Sequence, residues 1–111
     1  MEPRLASSVL AAALIRRAEA EGGFGMVLAK GDPTAGAVAV ILMERGERRF
    51  LLERLLQPDG RYGWEETGGT DGASGIDERL ARRRKFDPDL WIVELDVASA
   101  ERFADEMNAS D

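Results

Sequence analysis

The chain has 111 residues, with 15 Lys+Arg against 21 Asp+Glu and a net charge of −6, a length that fits one domain, residues 1–111. It holds no cysteine and no histidine. This excludes a disulfide framework, a thiolate zinc site and a cysteine nucleophile, and it removes the commonest general base and neutral-pH switch. Its acidic balance also repels phosphate backbones wherever positive charge is not segregated.

Leu5 to Ala20 places Leu10, Ala11, Leu14, Ile15 and Ala18 at helical spacing, with Arg16, Arg17, Glu19 and Glu21 largely elsewhere. That pattern predicts an amphipathic helix, ended by Gly22-Gly23. The apolar run Val9–Ile15 is at the short limit for a secretory segment, two arginines follow it, and Glu2 dilutes its start. It is therefore read as a helix of the domain and not as a signal peptide. No run approaches membrane-spanning length, so the expected location is cytoplasmic with no membrane partner.

Phe24 to Lys30 reads as a first strand with Phe24, Met26 and Leu28 on one face. A turn at Gly31-Asp32-Pro33 follows. Ala37 to Glu44 is apolar on both faces, the mark of a central strand covered on each side. Arg45-Gly46 supplies a tight turn, and Arg49 to Leu56 returns antiparallel. Gln57 to Gly75 reads as a long glycine-rich loop, with Gly60, Gly63, Gly68, Gly69, Gly72 and Gly75, Tyr62, and Trp64 pinning its middle. Loops of this length are often functional.

Ser74 is placed to cap a second helix, with Asp77 three residues on. Asp77 and Glu78 open that helix and Arg82, Arg83, Arg84 and Lys85 close it, which suits the helix dipole at both ends. Pro88 ends the helix and pushes Asp87 out of the α region. From Leu90 the period becomes two: Trp91, Val93, Leu95 and Val97 share one face, and Leu90, Ile92, Glu94 and Asp96 the other. Ser99 begins a last helix with Ala100, Phe103, Ala104 and Met107 facing inward. The order α-β-β-β-α-β-α predicts an α+β domain: a mainly antiparallel sheet of about four strands flanked by helices.

The run Arg84–Asp96, RKFDPDLWIVELD, resembles the signature of domain-of-unknown-function family 1491 (DUF1491), small uncharacterised bacterial proteins. Arg16-Arg17, the segment Gly31–Ala37 (GDPTAGA) and the isolated Trp64 match further features of that family. The likeness spans roughly Val9 to Asp96. It implies a shared fold and brings no activity, cofactor or catalytic residue.

The arrangement of strand, glycine-rich loop with WEETGG and helix also resembles the opening of a Nudix hydrolase. The following helix, however, carries only Asp77 and Glu78 and then arginines, where a magnesium–diphosphate site needs clustered carboxylates. Glu94 and Asp96 share a strand face but have no second ligand cluster, so no metal site, cofactor or catalytic residue is assigned. The candidate binding residues are Tyr62 and Trp64 of the loop and Arg82, Arg83 and Arg84 of the helix end. The leading expectation is a small non-catalytic protein-interaction module with an unknown protein partner, self-association being left open. The alternative is an enzyme or sensor binding a phosphorylated or nucleotide-like ligand through Arg and carboxylates. A nucleic-acid binder comes third, disfavoured by the acidic charge.

Overall fold

Alternating apolar patterns and their turn signals produce eight elements in this computed structural model, which describes residues 5–68 and 72–109, with residues 72 and 73 described by backbone alone. They are α1 (Ser7–Ala20), β1 (Phe24–Ala29), β2 (Val38–Glu44), β3 (Glu47–Leu56), β4 (Tyr62–Thr67), α2 (Gly72–Phe86), β5 (Trp91–Asp96) and α3 (Ala100–Ala109). The fold is α+β, and the strands form one five-stranded sheet in the order β1-β5-β2-β3-β4.

Two expectations are corrected here. The sheet has five strands, not about four, because β4 forms inside the stretch 57–75 that reads as one loop. Six scattered glycines mask the alternation of YGWEET, and pairing with β3 (Arg54↔Trp64, Leu56↔Tyr62) supplies what local propensity lacks. The sheet is mainly antiparallel, as expected, with one parallel pair, β2 and β5, that sets Val40 beside Val93 and Leu42 beside Leu95. α2 begins at Gly72, so Ser74 lies within the helix and not at its cap. Expectations placed on Glu2 and Gly69 fall outside the described residues.

The turn at Arg45-Gly46 forms as expected, with both residues at positive φ (54° and 79°), the geometry of a two-residue hairpin turn. The central parallel pair explains the doubly apolar strands. Val38, Val40, Leu42, Trp91, Val93 and Leu95 pack under α1 and α3. On the opposite face, Ala39, Ile41, Leu51 and Ile92 meet Ile76 and Leu80 of α2. Among the described residues, no helix is long and apolar enough to cross a membrane.

The two motifs that stand out in the sequence, Gly31–Ala37 and the start of β5, are in direct contact. Asp32 closes its own turn by accepting from the Thr34 and Ala35 N–H groups at 3.1 and 2.7 Å. The Asp32 N–H donates to the Asp89 carbonyl at 3.1 Å. Trp91 returns the tie twice: its indole donates to the Asp32 carbonyl at 2.7 Å and its N–H to the Ala37 carbonyl at 2.8 Å. The start of α1 is held to the same loop, with the Ser7 hydroxyl donating to the Gly36 carbonyl at 2.5 Å.

Both glycines of the loop are required by contact. A Cβ on Gly31 or Gly36 would lie 1.8 or 2.3 Å from the Asp89 carbonyl oxygen. Backbone, unlike a flexible side chain, cannot step aside. Replacing Gly36 by Ala is therefore expected to cost about 3 kcal/mol of stability. Gly63→Ala, which meets only the side chain of Gln57, should stay within about 1 kcal/mol. Denaturant unfolding of the two variants checks the contrast.

Candidate functional site

Strand alternation sends Leu52 and Arg54 of β3 to the α1/α3 face and Leu51 and Glu53 to the α2 face. Glu53 is a carboxylate only 2% exposed. It is fully coordinated: the Thr67 hydroxyl donates to Oε2 at 2.5 Å, Arg79 Nε to the same oxygen at 3.0 Å, and Arg83 Nε to Oε1 at 2.8 Å. Arg79 and Arg83 are one helical turn apart, so both reach a single strand residue. Burial alone pushes the Glu53 carboxyl up and is the largest single influence. Thr67 and the two guanidinium groups together outweigh it and hold the group below its ordinary value of 4.5.

Two more polar groups of the same helix are engaged. Arg84 Nη1 donates to the Leu90 carbonyl at 2.6 Å. Asp77 pairs with Arg48 of β3, which also reaches Glu94 of β5 at 3.3 Å. Asp96 accepts from the Gly46 N–H at 3.2 Å. Of the arginine candidates, then, Arg83 and Arg84 make intramolecular bonds and Arg82 is exposed. Among the described residues no group of acidic side chains is placed to hold a metal ion.

On the other face, Arg54 lies under two rings, its guanidinium carbon 5.7 Å from the Tyr62 centroid and 5.9 Å from that of Trp64. Trp64 is core, 6% exposed, while Tyr62 is half-buried. Arg54 and Tyr62 form one wall of a cavity of about 130 Å³, completed by Ser7 and Leu10 of α1 and by residues 35–38. Tyr62 and Trp64 thus come together around Arg54, on the face away from the arginines of α2.

The two edges of the sheet differ in kind. At the β4 edge, the Asn108 side chain of α3 occupies the outward backbone of Trp64, accepting from its N–H at 2.8 Å and donating to its carbonyl at 3.1 Å. Glu65 and Glu66 stand exposed beside it. At the β1 edge, the strand FGMVLA contains no proline and no charge. Among the described residues, no side chain or loop bonds to its outer backbone. Phe24, Met26 and Leu28 are 66%, 55% and 43% exposed, because α2 covers the β3 side of its face and stops short of β1. These three make up nearly half of the seven large apolar side chains described as exposed. The sequence pattern places them on one face correctly, but gives no sign that the face lacks a covering helix. The role of Glu53 is equally unannounced, apart from the oddity of a carboxylate inside the apolar run Leu51–Leu56.

A family model described as "Protein of unknown function (DUF1491)" matches residues 5–105. The chain is similar to the crystal structure of a DUF1491 family protein from Caulobacter crescentus CB15, with 35% identity, a TM-score of 0.81, and coverage of 90% of this chain and 94% of that one. It is similar to an NMR structure of a DUF1491 family protein from the same organism at 33% identity, TM-score 0.80, covering 93% and 94% of the two chains. A protein from A. tumefaciens solved in solution has 32% identity and a TM-score of 0.77, with coverage of 92% and 93%. No curated protein matches the chain.

The depressed Glu53 carboxyl sets a pH dependence. A group whose folded value lies below its unfolded one adds stability that is present above the unfolded value and lost as pH falls through the folded one. Stability should therefore decline in acid, below about 4.5. Glu53→Gln should cost about 2 kcal/mol at neutral pH, since two arginines lose their carboxylate but both retain access to water. It should also flatten the acid decline; thermal unfolding across pH reads both effects.

Proposed function

Because the chain belongs to the DUF1491 family, whose description carries no activity, we propose from its geometry that it is a small non-catalytic protein-interaction module of the cytoplasm, docking its partner on the β1 edge. The observation that carries this reading is the asymmetry of the two sheet edges. Edge strands are ordinarily guarded by charge, proline or a covering element, because they are templates for pairing with another chain. Here the β4 edge is guarded by Asn108 and two glutamates. β1, regular from Phe24 to Val27 before its register against β5 shifts, offers open backbone there beside an exposed apolar row, the combination that β-strand addition uses for affinity and side-chain selectivity.

Two further features support a non-catalytic role. Two carboxylates are displaced from their ordinary values by their surroundings, Glu53 and Glu106. Glu53 is raised by burial but lowered further by Thr67 and its two arginines, and Glu106 is lowered by Arg17 and Arg102. Both are therefore held ionised, not poised as general acids near neutrality. The candidate arginines Arg83 and Arg84 are engaged within the fold, which favours a nucleic-acid reading least.

The second reading is a sensor for a phosphorylated or carboxylate ligand, favoured by Arg54 and Tyr62 on the wall of the α1 cavity. At about 130 Å³ the cavity accepts an anionic group but not a whole nucleotide, since ligand pockets usually run from roughly 300 to 1,000 Å³. A saturable rise in melting temperature with inorganic phosphate, absent in Arg54→Met, would put this reading first.

The docking reading is tested by affinity capture with the wild type and with Met26→Lys. Met26 is exposed, so the lysine should change stability by less than about 0.5 kcal/mol. Loss of the captured proteins by the variant is the expected result. Identical capture by both proteins would overturn the β1 assignment.

A further inference from the structure

α2 is attached to the sheet by a different balance of forces from α1 and α3. We infer that α2 is a lid latched by Glu53: it lifts from the sheet as a unit and uncovers the apolar floor beneath it, while the rest of the domain stays folded.

The apolar contact of α2 is narrow. Among the described residues, it sets Ile76 and Leu80 onto a floor that includes Ala39, Ile41, Leu51 and Ile92, and no second helix joins that cluster. The other face is covered by two helices that also hold each other. Arg17 of α1 donates to Glu106 of α3 at 2.9 Å and lies over the Phe103 ring, its guanidinium carbon 4.9 Å from the centroid. Phe103 and Met107 of α3 and Leu14 of α1 are buried in one cluster. A segment with few buried apolar contacts opens at a lower free energy than the whole domain.

The remaining ties of α2 to β3 are ionic: Arg79 and Arg83 to Glu53, and Asp77 to Arg48. The Arg79 and Arg83 side chains are 37% and 29% exposed, against 2% for Glu53. Taking a carboxylate out of water costs about as much as its pairing returns, so such an anchor fixes where the helix sits more than how tightly it is held. Lifting α2 returns Glu53 and both guanidinium groups to water together and leaves no charge stranded in the core. Directly beside Glu53 in the sheet are Ala39 of β2 and Glu65 of β4. Neither is a cation that would hold the carboxylate down, and Glu65 opposes it. The Thr67 hydroxyl stays with Glu53 on the sheet.

The backbone on either side of α2 is interrupted. Gly68, after β4, has a positive φ of 89°, and Pro88 follows the helix. Arg84 Nη1 ties the last turn to the Leu90 carbonyl at 2.6 Å, which places the pivot at that end. The motion needs no partner on β1.

The chain contains no cysteine, so a single introduced thiol reports on one site. Ala39 and Val40 are neighbours on β2, both fully buried, on opposite faces of the sheet. Ala39→Cys lies under α2 and Val40→Cys under α1 and α3. In native buffer, iodoacetamide should label Ala39→Cys at least about a hundredfold faster than Val40→Cys. Low urea should hardly change the first rate, because lifting one helix exposes little surface, and should raise the second steeply, with global unfolding. Adding Glu53→Gln to Ala39→Cys should speed its labelling roughly 30-fold, the factor equivalent to the stability that the variant loses.

Hydrogen exchange of the unsubstituted chain makes the same comparison where a cysteine variant does not fold. The amides of Leu80 to Arg83 should exchange through an opening nearly independent of urea, and those of Val40 and Val93 only with global unfolding. Equal labelling of the two cysteines with the same urea dependence would overturn the lid, as would α2 amides that exchange only with those of the core. Fast labelling of Ala39→Cys that Glu53→Gln leaves unchanged would overturn Glu53 as its latch.

Discussion

The arrangement of this domain depends on one close approach, that of the Gly31–Gly36 loop to the carbonyl of Asp89. A side chain at either glycine would occupy the space of that carbonyl. With glycine in both places, Asp32 and Trp91 exchange bonds across the gap, and the Trp91 N–H meets the Ala37 carbonyl just ahead of β2. This sets the register of the parallel β2–β5 pair, Val38 beside Trp91. Ser7 and Ser8 bond to the same loop, so the start of α1 is fixed by it as well. The two segments that carry the family likeness are thus halves of one structural joint. Their distinctive residues each have a place in the fold.

The opposite face is held by a different kind of force. α2 buries only a narrow stripe there, Ile76 and Leu80 against Leu51 and Ile41. Arg79 and Arg83 add a polar anchor by closing on Glu53. A buried carboxylate is costly unless its lone pairs are satisfied; Thr67 and the two arginines do so, at the expense of freedom in α2. The helix is consequently fixed over β3, at one side of the sheet.

Uneven coverage follows from that position. α1 and α3 together cover one face, while α2 leaves the far side of the other face open at β1. The exposed row Phe24, Met26 and Leu28 follows from where Glu53 holds α2, and it lies on the edge that no described side chain covers. The opposite edge is closed by α3, whose buried residues Phe103 and Met107 orient Asn108 towards the backbone of Trp64. Stability and edge exposure are linked through these choices: the elements that build the core also decide which edge stays uncovered.

The sequence by itself determined the class and most of the elements. Period-two runs mark β1 and β5, a run apolar on both faces marks β2 and the return after the Arg45-Gly46 turn marks β3, period-3.6 spacing marks α1 and α3, and Pro88 and Gly46 mark turns whose backbone few other residues adopt. Local chemistry suffices for these because each signal depends on neighbours within a few residues. The tertiary structure alone decided the rest. β4 is stabilised by pairing across to β3, which its glycine-rich surroundings conceal. The parallel β2–β5 contact joins residues some fifty positions apart. Trp64, Arg83 and Arg84, alike in sequence to binding groups, are taken up by the core, by Glu53 and by a backbone carbonyl, while Arg82 stays exposed. Which apolar row remains uncovered is decided last, because burial is a property of what packs on a face and not of the residues that form it.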